Sequence, residues 1–395
     1  MNGIDFVFNE IKKEKELVRS SLVMFIATGV PAVISFFVNL ILARIFIPES
    51  FGNFKTATYL VSFFSSLITF GAQVTLTKYI AQFRIKEKEK IGHMSRWFLE
   101  LRLISSFILF IILLIFIGPI TTHFLHDISL NYLIIFGFSI IFANIFAILP
   151  AMVLGYENFK LYLTSSLVAS FGSMIFGVGL GYLFGVSYAI LGLGISNSLG
   201  NLVCLKFLLK KRSFSTEDGD FDIKKIFLKF SLPMYIFTLP SYFGNAIVPL
   251  LSLFFSMELI GQYSFSFIFY FSGLVIPGAL SSVLLPKISR LNALKENKKI
   301  KETILKIFLG YTVIVIVGIA GVLFFGRTVL SIIAPEYLPG LLFFKSLISL
   351  GLISGYIVIY NSYLIAKEKL KKVAMLTLIQ NILLFLVSFI LLKNF

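Results

Sequence analysis

The fold class is decided by residues 161–209, LYLTSSLVASFGSMIFGVGLGYLFGVSYAILGLGISNSLGNLVCLKFLL. This stretch carries one charged side chain, Lys206, over about 49 residues, and as a single helix it would be roughly 73 Å long. A helix needs only about 20 apolar residues to cross a hydrocarbon core of ~30 Å. We therefore divide the stretch at Gly185 into two membrane-spanning helices, 161–184 and 187–209.

The same composition extends over all 395 residues. Hydrophobic residues make up 58% of the chain and charged residues 14%, and the mean hydropathy is +0.95. Soluble domains carry ~25% charged residues, so a water-soluble enzyme or nucleic-acid-binding domain is excluded. The spans are apolar on all sides, which disfavours a β-barrel and predicts an all-α polytopic membrane protein. Hydropathy predicts eleven spans: 21–43, 57–80, 98–118, 130–154, 161–184, 187–209, 230–254, 262–285, 304–325, 341–365 and 372–392.

Lysine and arginine are distributed very unevenly between the two sides of these spans. Thirty of the 35 lie in the N-terminal segment and in the loops and helix ends on its side, and five lie on the other side. Cytoplasmic loops carry the excess of Lys and Arg, so the N-terminus is predicted to be cytoplasmic.

An internal repeat appears when the sequence is shifted by 209 residues. The shift brings together three pairs of residues: Pro31 with Pro240, Gly52 with Gly261, and Lys78 with Lys287. Both copies begin on the cytoplasmic side, which predicts two pseudo-symmetric helical bundles related by an axis along the membrane normal.

The repeat also predicts the domain organisation. Residues 1–209 form an N-terminal lobe of six helices, 210–223 a cytoplasmic linker, and 224–395 a C-terminal lobe with five recognisable helices. A twelfth helix is expected after residue 392. Either the chain is truncated before it, or this protein has eleven helices and an external C-terminus; one span divided in two by error is the less favoured explanation.

Four short motifs resemble those of a known family. They are LARIFIPESFGNFKTA (42–57), KYIAQFR (78–84), GYENF (155–159) and LPKISRL (285–291). They are similar to motifs of the polysaccharide-biosynthesis membrane proteins, the Wzx-type oligosaccharide-lipid flippases, which share a superfamily with the MATE exporters and the lipid II flippase MurJ. The resemblance covers residues 20–392.

The resemblance implies a MATE-like fold and transport by alternating access. The cargo would be a polyprenyl-pyrophosphate-linked oligosaccharide, moved from the cytoplasmic to the outer leaflet of the plasma membrane for surface polysaccharide or glycan biosynthesis. We expect the protein to be a monomer. Its expected partners are this cargo, membrane lipids and glycan-assembly proteins, and nucleic acid is not expected.

The 19 acidic residues lie in loops or at span ends, so no carboxylate is predicted mid-membrane. This weakens two alternatives, a MATE-like cation-coupled exporter of small molecules and, more distantly, a membrane-embedded glycan polymerase or glycosyltransferase, because ion pathways and such active sites generally need carboxylates. Nothing resembles a phosphate-binding loop for ATP, and Cys204 is the single cysteine. We expect no enzyme activity, cofactor or metal.

Five cations near the predicted membrane boundaries are candidates for binding the cargo's phosphates. Arg44 ends span 1, where its guanidinium could hold a phosphate in two hydrogen bonds or anchor the helix at the interface. Lys78 and Lys287 are repeat-related and would lie on opposite walls of an inward-facing cleft, although ordinary cytoplasmic charge also explains them. Arg102 lies early in span 3, and Lys345 lies one turn inside span 10. We expect Arg44 and at least one other to face a water-filled cavity between the lobes.

Three amide side chains within the spans are candidates for contacting sugar hydroxyls: Asn39, Gln73 and Asn245. Amides of this kind more often hydrogen-bond a neighbouring helix, for ~0.6 kcal/mol. Asn39 and Asn245 lie in the first helix of each repeat copy, which favours them over the other amides.

Overall fold

The computed structural model describes residues 3–125, 145–214 and 222–395 of the chain, and these residues form helices without a strand. The predicted fourth span, 130–154, lies largely outside the described residues, as does the centre of the predicted linker. The main helices, numbered in chain order, are α1 Gly3–Ile45, α2 Pro48–Leu67, α3 Ala72–Lys86, α4 Glu89–Ile115, α5 Ile148–Gly155, α6 Phe159–Phe184, α7 Val186–Lys210, α8 Ile223–Ser252, α9 Met257–Ser289, α10 Asn297–Ile333, α11 Leu341–Ala366 and α12 Leu370–Lys393.

Ten predicted spans have a counterpart in the described part of the chain. Nine helices there are long and apolar enough to cross a membrane, and α2 with α3, bent by 50°, makes a tenth. The division at Gly185 is confirmed, because α6 ends at Phe184 and α7 begins at Val186. Gly185 has φ 92°, a conformation that favours glycine. The chain is a multi-pass membrane protein.

The start of the second span was predicted wrongly. Hydropathy places it at residue 57, whereas α2 begins at Pro48, nine residues earlier. Glu49 and Lys55 lower the local hydropathy and hide the first turns of the helix. Lys55 falls between the first two predicted spans and is one of the five cations counted on the outer side, but in the structure it lies within α2.

The described residues divide into two compact units. The first unit contains residues 1–41, 64–117 and 129–235, and its core is formed by α3, α4, α5 and α7, with Leu76, Met94, Phe98, Met152 and Leu208 buried at its centre. Apolar side chains on the outside of its helices, such as Ile115 at 68% exposure, are typical of contact with lipid rather than water.

The second unit contains residues 42–63, 118–128 and 236–395. Its core includes an aromatic row on α9, in which Tyr263, Phe267 and Tyr270 stack in sequence with ring centroids 5.6 and 5.3 Å apart. Phe343 of α11 packs against Tyr263. The limits of these units do not test the lobe boundaries at 209 and 224, which remain a prediction.

The two copies of the repeat meet at a reciprocal contact within the second unit. A Cβ atom on Gly52 of α2 would overlap the carbonyl oxygen of Met257, and one on Gly261 of α9 would overlap that of Pro48. The shift of 209 residues relates Gly52 to Gly261 and also Pro48 to Met257. Each copy therefore presents the same surface to the other, as in a contact across a twofold axis.

Candidate functional site

The span formed by α2 and α3 is broken in the middle. Helix α2 ends at Leu67 and α3 begins at Ala72, while Phe70 and Gly71 have φ values of 45° and 68°. A break at membrane depth frees backbone carbonyls that lipid cannot satisfy, so other protein groups must bind them. Discontinuous spans of this kind often form the binding sites of transporters.

Three side chains of the first unit bind the freed carbonyls. The Arg102 guanidinium donates through Nη1 to the Ile68 oxygen at 2.7 Å, and the Tyr235 hydroxyl donates to the Leu67 oxygen at 2.7 Å. The Ser231 hydroxyl donates to the Phe70 oxygen at 2.7 Å. The break is thus fully integrated into the packing of α4 and α8.

Gly71 is required at the break for two reasons. Its φ of 68° is one that residues with a Cβ rarely adopt. A Cβ atom would also overlap the carbonyl oxygen of Ser231 on α8. The nearby hydroxyls of Thr75 and Ser231 lie 2.9 Å apart, which draws the start of α3 against the same helix.

Arg102 is therefore a buried residue that binds the break. Its side chain is 2% exposed, so in this conformation it is closed to water and its charge is directed at the break. Sequence reasoning selected Arg102 as a candidate cation but could not identify its partner, because the Ile68 carbonyl is available only when the helix is broken.

Lys78 lies on α3, two turns beyond the break. Its ammonium nitrogen is 3.7 Å from the centroid of the Phe230 ring and 5.2 Å from that of Tyr79. This is the geometry of a cation–π contact. The side chain is nevertheless exposed, as is its repeat counterpart Lys287 on α9.

Arg44 binds the end of another helix. Its Nε and Nη2 atoms donate to the carbonyl oxygens of Ile333 and Ile332, at 2.6 and 2.9 Å. These are terminal carbonyls of α10, where the helix dipole favours a cation. Arg44 is exposed on its other side, so the arrangement combines a capping role with access to solvent or ligand.

The remaining candidates occupy separate positions. Lys345 is half-buried on α11, and its aliphatic carbons lie 3.4 Å from where a Cβ on Gly326 would be. Asn39 donates to the Ser35 oxygen of its own helix at 2.7 Å, and Gln73 donates to the Ala147 oxygen at 3.3 Å. Asn245 is half-buried in a 3-10 turn within α8.

Comparison with known proteins gives the family. The family model described as "Polysaccharide biosynthesis protein" matches residues 41–339, well over half of the chain. The chain belongs to this family of polysaccharide biosynthesis proteins. No curated protein matches it in sequence.

The fold of this family member is shared with solved transporters. An inward-facing multidrug resistance MATE family transporter of the MOP superfamily matches with a TM-score of 0.64 at 14% identity, over 95% of this chain and 97% of that one. A eukaryotic MATE transporter matches with a TM-score of 0.60 at 16% identity, over 95% of each chain. The lipid II flippase MurJ in an inward closed conformation matches with a TM-score of 0.58 at 17% identity, over 94% of this chain and 86% of that one.

One buried cation of this polysaccharide biosynthesis protein was missed by sequence reasoning. Lys55 is 7% exposed within α2, and its ammonium nitrogen lies 5.5, 5.7 and 5.9 Å from the ring centroids of Phe51, Phe54 and Tyr59. Phe51 and Tyr59 stand four residues before and after Lys55, so one helical face carries all three. This spacing was the available signal, hidden by placing Lys55 in a loop.

Proposed function

We propose that this protein moves a polyprenyl-pyrophosphate-linked oligosaccharide from the cytoplasmic to the outer leaflet of the plasma membrane by alternating access. Membership of the polysaccharide biosynthesis family and a fold shared with MATE transporters and MurJ support a carrier for glycan assembly rather than an enzyme. The oligosaccharide is the moving group, and the diphosphate is the charge that the protein has to accommodate.

The main structural support for this proposal is the sign of the buried charge. Among the described residues, the charged side chains that are buried are Lys55 and Arg102, and no carboxylate is buried. An intramembrane cation is costly unless it serves a partner or a ligand. A protein that transports an anionic diphosphate benefits from positive charge in its interior, whereas one that exports a cation needs the opposite sign.

Arg44 is the candidate for direct contact with the diphosphate. Two of its nitrogens bind the end of α10, which fixes the guanidinium plane, and the exposed remainder can donate to an anion. Arg44→Ala should reduce transport and also remove a helix cap. Arg44→Lys keeps the charge and one donor for the carbonyls, so it should keep the stability but recover only part of the transport.

A deletion strain tests the function. Without the protein, lipid-linked oligosaccharide should accumulate on the cytoplasmic face of the membrane, and the wild-type gene should reverse this. Drug sensitivity without accumulation would indicate a small-molecule exporter instead. Unpolymerised glycan on the outside would indicate a polymerase.

The proposed orientation, with the N-terminus in the cytoplasm, is tested by cysteine labelling. The native Cys204 is buried, so it gives little background. In sealed cells, a membrane-impermeant maleimide should leave Asp218→Cys unlabelled until the membrane is opened. Labelling of intact cells at this position would reverse the orientation.

A further inference from the structure

A basic pocket lies at one end of the first unit, away from the break. Its volume is about 660 Å³, a size typical of small-ligand sites. Its wall comes from three segments: the end of α3 with the start of α4, the turn between α5 and α6, and the end of α7 with the two residues after it. The lining residues include four cations, Arg84, Lys88, Lys211 and Arg212, and one carboxylate, Glu157.

The frame of the pocket is held by contacts that need no ligand. The Arg84 guanidinium forms an ion pair with Glu157, 2.5 Å from Nη2 to Oε2, and donates through Nη1 to the Tyr156 carbonyl at 2.9 Å. The hydroxyls of Tyr156 and Ser213 lie 2.8 Å apart and join the second segment to the third. Burial raises the pKa of Tyr156, against a smaller lowering by the Ser213 hydrogen bond, so this hydroxyl stays protonated.

Among the described lining residues, positive charge exceeds negative charge. Arg84 is paired with the one carboxylate there, and Lys88 and Lys211 add two exposed cations to the same space. Lys88 and Lys211 are exposed, and in the described part of the chain neither forms an ion pair. The ammonium nitrogen of Lys211 lies 5.9 Å from the centroid of the Phe207 ring, and this contact orients the lysine side chain beside the pocket. Such a field attracts a multiply charged anion.

We propose that this pocket binds a phosphate-bearing anion, supplied by the headgroup of an anionic phospholipid. All three segments lie at the ends of membrane-spanning helices that are predicted to be cytoplasmic, and a lipid headgroup lies beside the ends of such helices. Apolar side chains share the wall with the cations: Ile91 is buried, and Ile85 is 71% exposed and available to an acyl chain. Basic pockets between helices on this side of a membrane hold anionic headgroups. The site is separate from the proposed transport function.

The test is lipid binding to the purified full-length protein, measured by native mass spectrometry with phosphatidylglycerol against phosphatidylcholine. Wild type should retain phosphatidylglycerol preferentially. In the double variant Lys88→Gln/Lys211→Gln, the preference for phosphatidylglycerol over phosphatidylcholine should fall about tenfold, because each lysine near an anionic headgroup strengthens lipid binding. The matched control, Lys298→Gln/Lys301→Gln, removes the same charge from exposed positions on α10 and should behave like wild type.

Inorganic phosphate distinguishes the two sources of the anion. If the pocket takes a lipid, phosphate should neither displace phosphatidylglycerol nor raise the melting temperature of wild type in neutral lipid. If phosphate does both, and fails to do so in the double variant, the phosphate chemistry stands and the lipid source is wrong. Equal binding of phosphatidylglycerol by wild type and the double variant, with no effect of phosphate, would overturn the proposal. So would an equal loss in the control.

Discussion

The first copy of the repeat is sharply bent at a four-residue break, whereas the second copy is interrupted by a single turn residue, Leu274, and is helical at the positions that match the break. In the first copy, α2 and α3 are bent by 50° around Phe70 and Gly71, which both have positive φ. The shift of 209 residues brings Ala279 and Leu280 onto these positions, and both lie inside a helix of α9. Near the reciprocal contact of Gly52 and Gly261, by contrast, the two copies are alike.

This difference shows that symmetry is kept at the contact of Gly52 with Gly261 and lost at the break, where Arg102 is buried. The break in the first copy needs Arg102, Ser231 and Tyr235 to bind its carbonyls, whereas a continuous helix binds its own. The side chains that bind the carbonyls of a broken span can change partners, whereas a continuous helix has no such alternative hydrogen bonds. We therefore expect the first copy to be the one that rearranges during transport.

The largest effect is expected from substituting the glycine at the break. Gly71→Ala should destabilise the protein by about 2–4 kcal/mol, because its φ is unfavourable for alanine and the methyl group overlaps the Ser231 carbonyl. The comparison change in the second copy is Gly278→Ala, two residues before the counterpart of Gly71; it meets no atom within 4 Å in a helix and should stabilise by about 0.5–1 kcal/mol. Thermal unfolding of the purified variants measures both. Equal melting temperatures would contradict the contrast between the copies.

The next effect is expected at the buried arginine. Arg102→Leu leaves the Ile68 carbonyl without its charged donor and should cost about 1–3 kcal/mol. Arg96→Leu is the control on the same helix: its ion pair with Glu100 is more than half exposed and should be worth under about 1 kcal/mol. Hydrogen exchange at residues 67–72 should also increase in Arg102→Leu alone. Unchanged exchange there would mean that Arg102 does not hold the break.

The smallest effect separates the repeat-related lysines. Lys78→Gln removes a cation–π contact with Phe230 and should cost about 0.5–1 kcal/mol. Lys287→Gln changes an exposed side chain and should stay within about 0.5 kcal/mol of wild type. If the two variants unfold alike, the Phe230 contact contributes nothing to stability. Transport assays on the same pair then show whether either lysine serves the cargo.

Composition and the repeat predicted much of this fold, because span length and apolar content depend on local sequence alone. They predicted the division at Gly185 and the equivalence of Gly52 and Gly261. They did not predict the break, since a single glycine in an apolar run, such as Gly71, is compatible with a continuous helix. They missed the buried Lys55 because a charge lowers hydropathy whether lipid or aromatic rings surround it. The partners of Arg44 and Arg102 depend on tertiary contacts that no local pattern encodes.

Movement of the cargo by the purified protein in sealed vesicles tests the central claim most directly. A fluorescent polyprenyl-diphosphate-linked oligosaccharide is placed in both leaflets, and a membrane-impermeant reductant is added outside. With the wild-type protein, the reductant should reach nearly all of the fluorophore, whereas in protein-free vesicles it should reach the outer leaflet alone. If vesicles containing folded protein protect the inner leaflet as fully as protein-free vesicles do, the protein does not move this cargo and the proposed function is wrong.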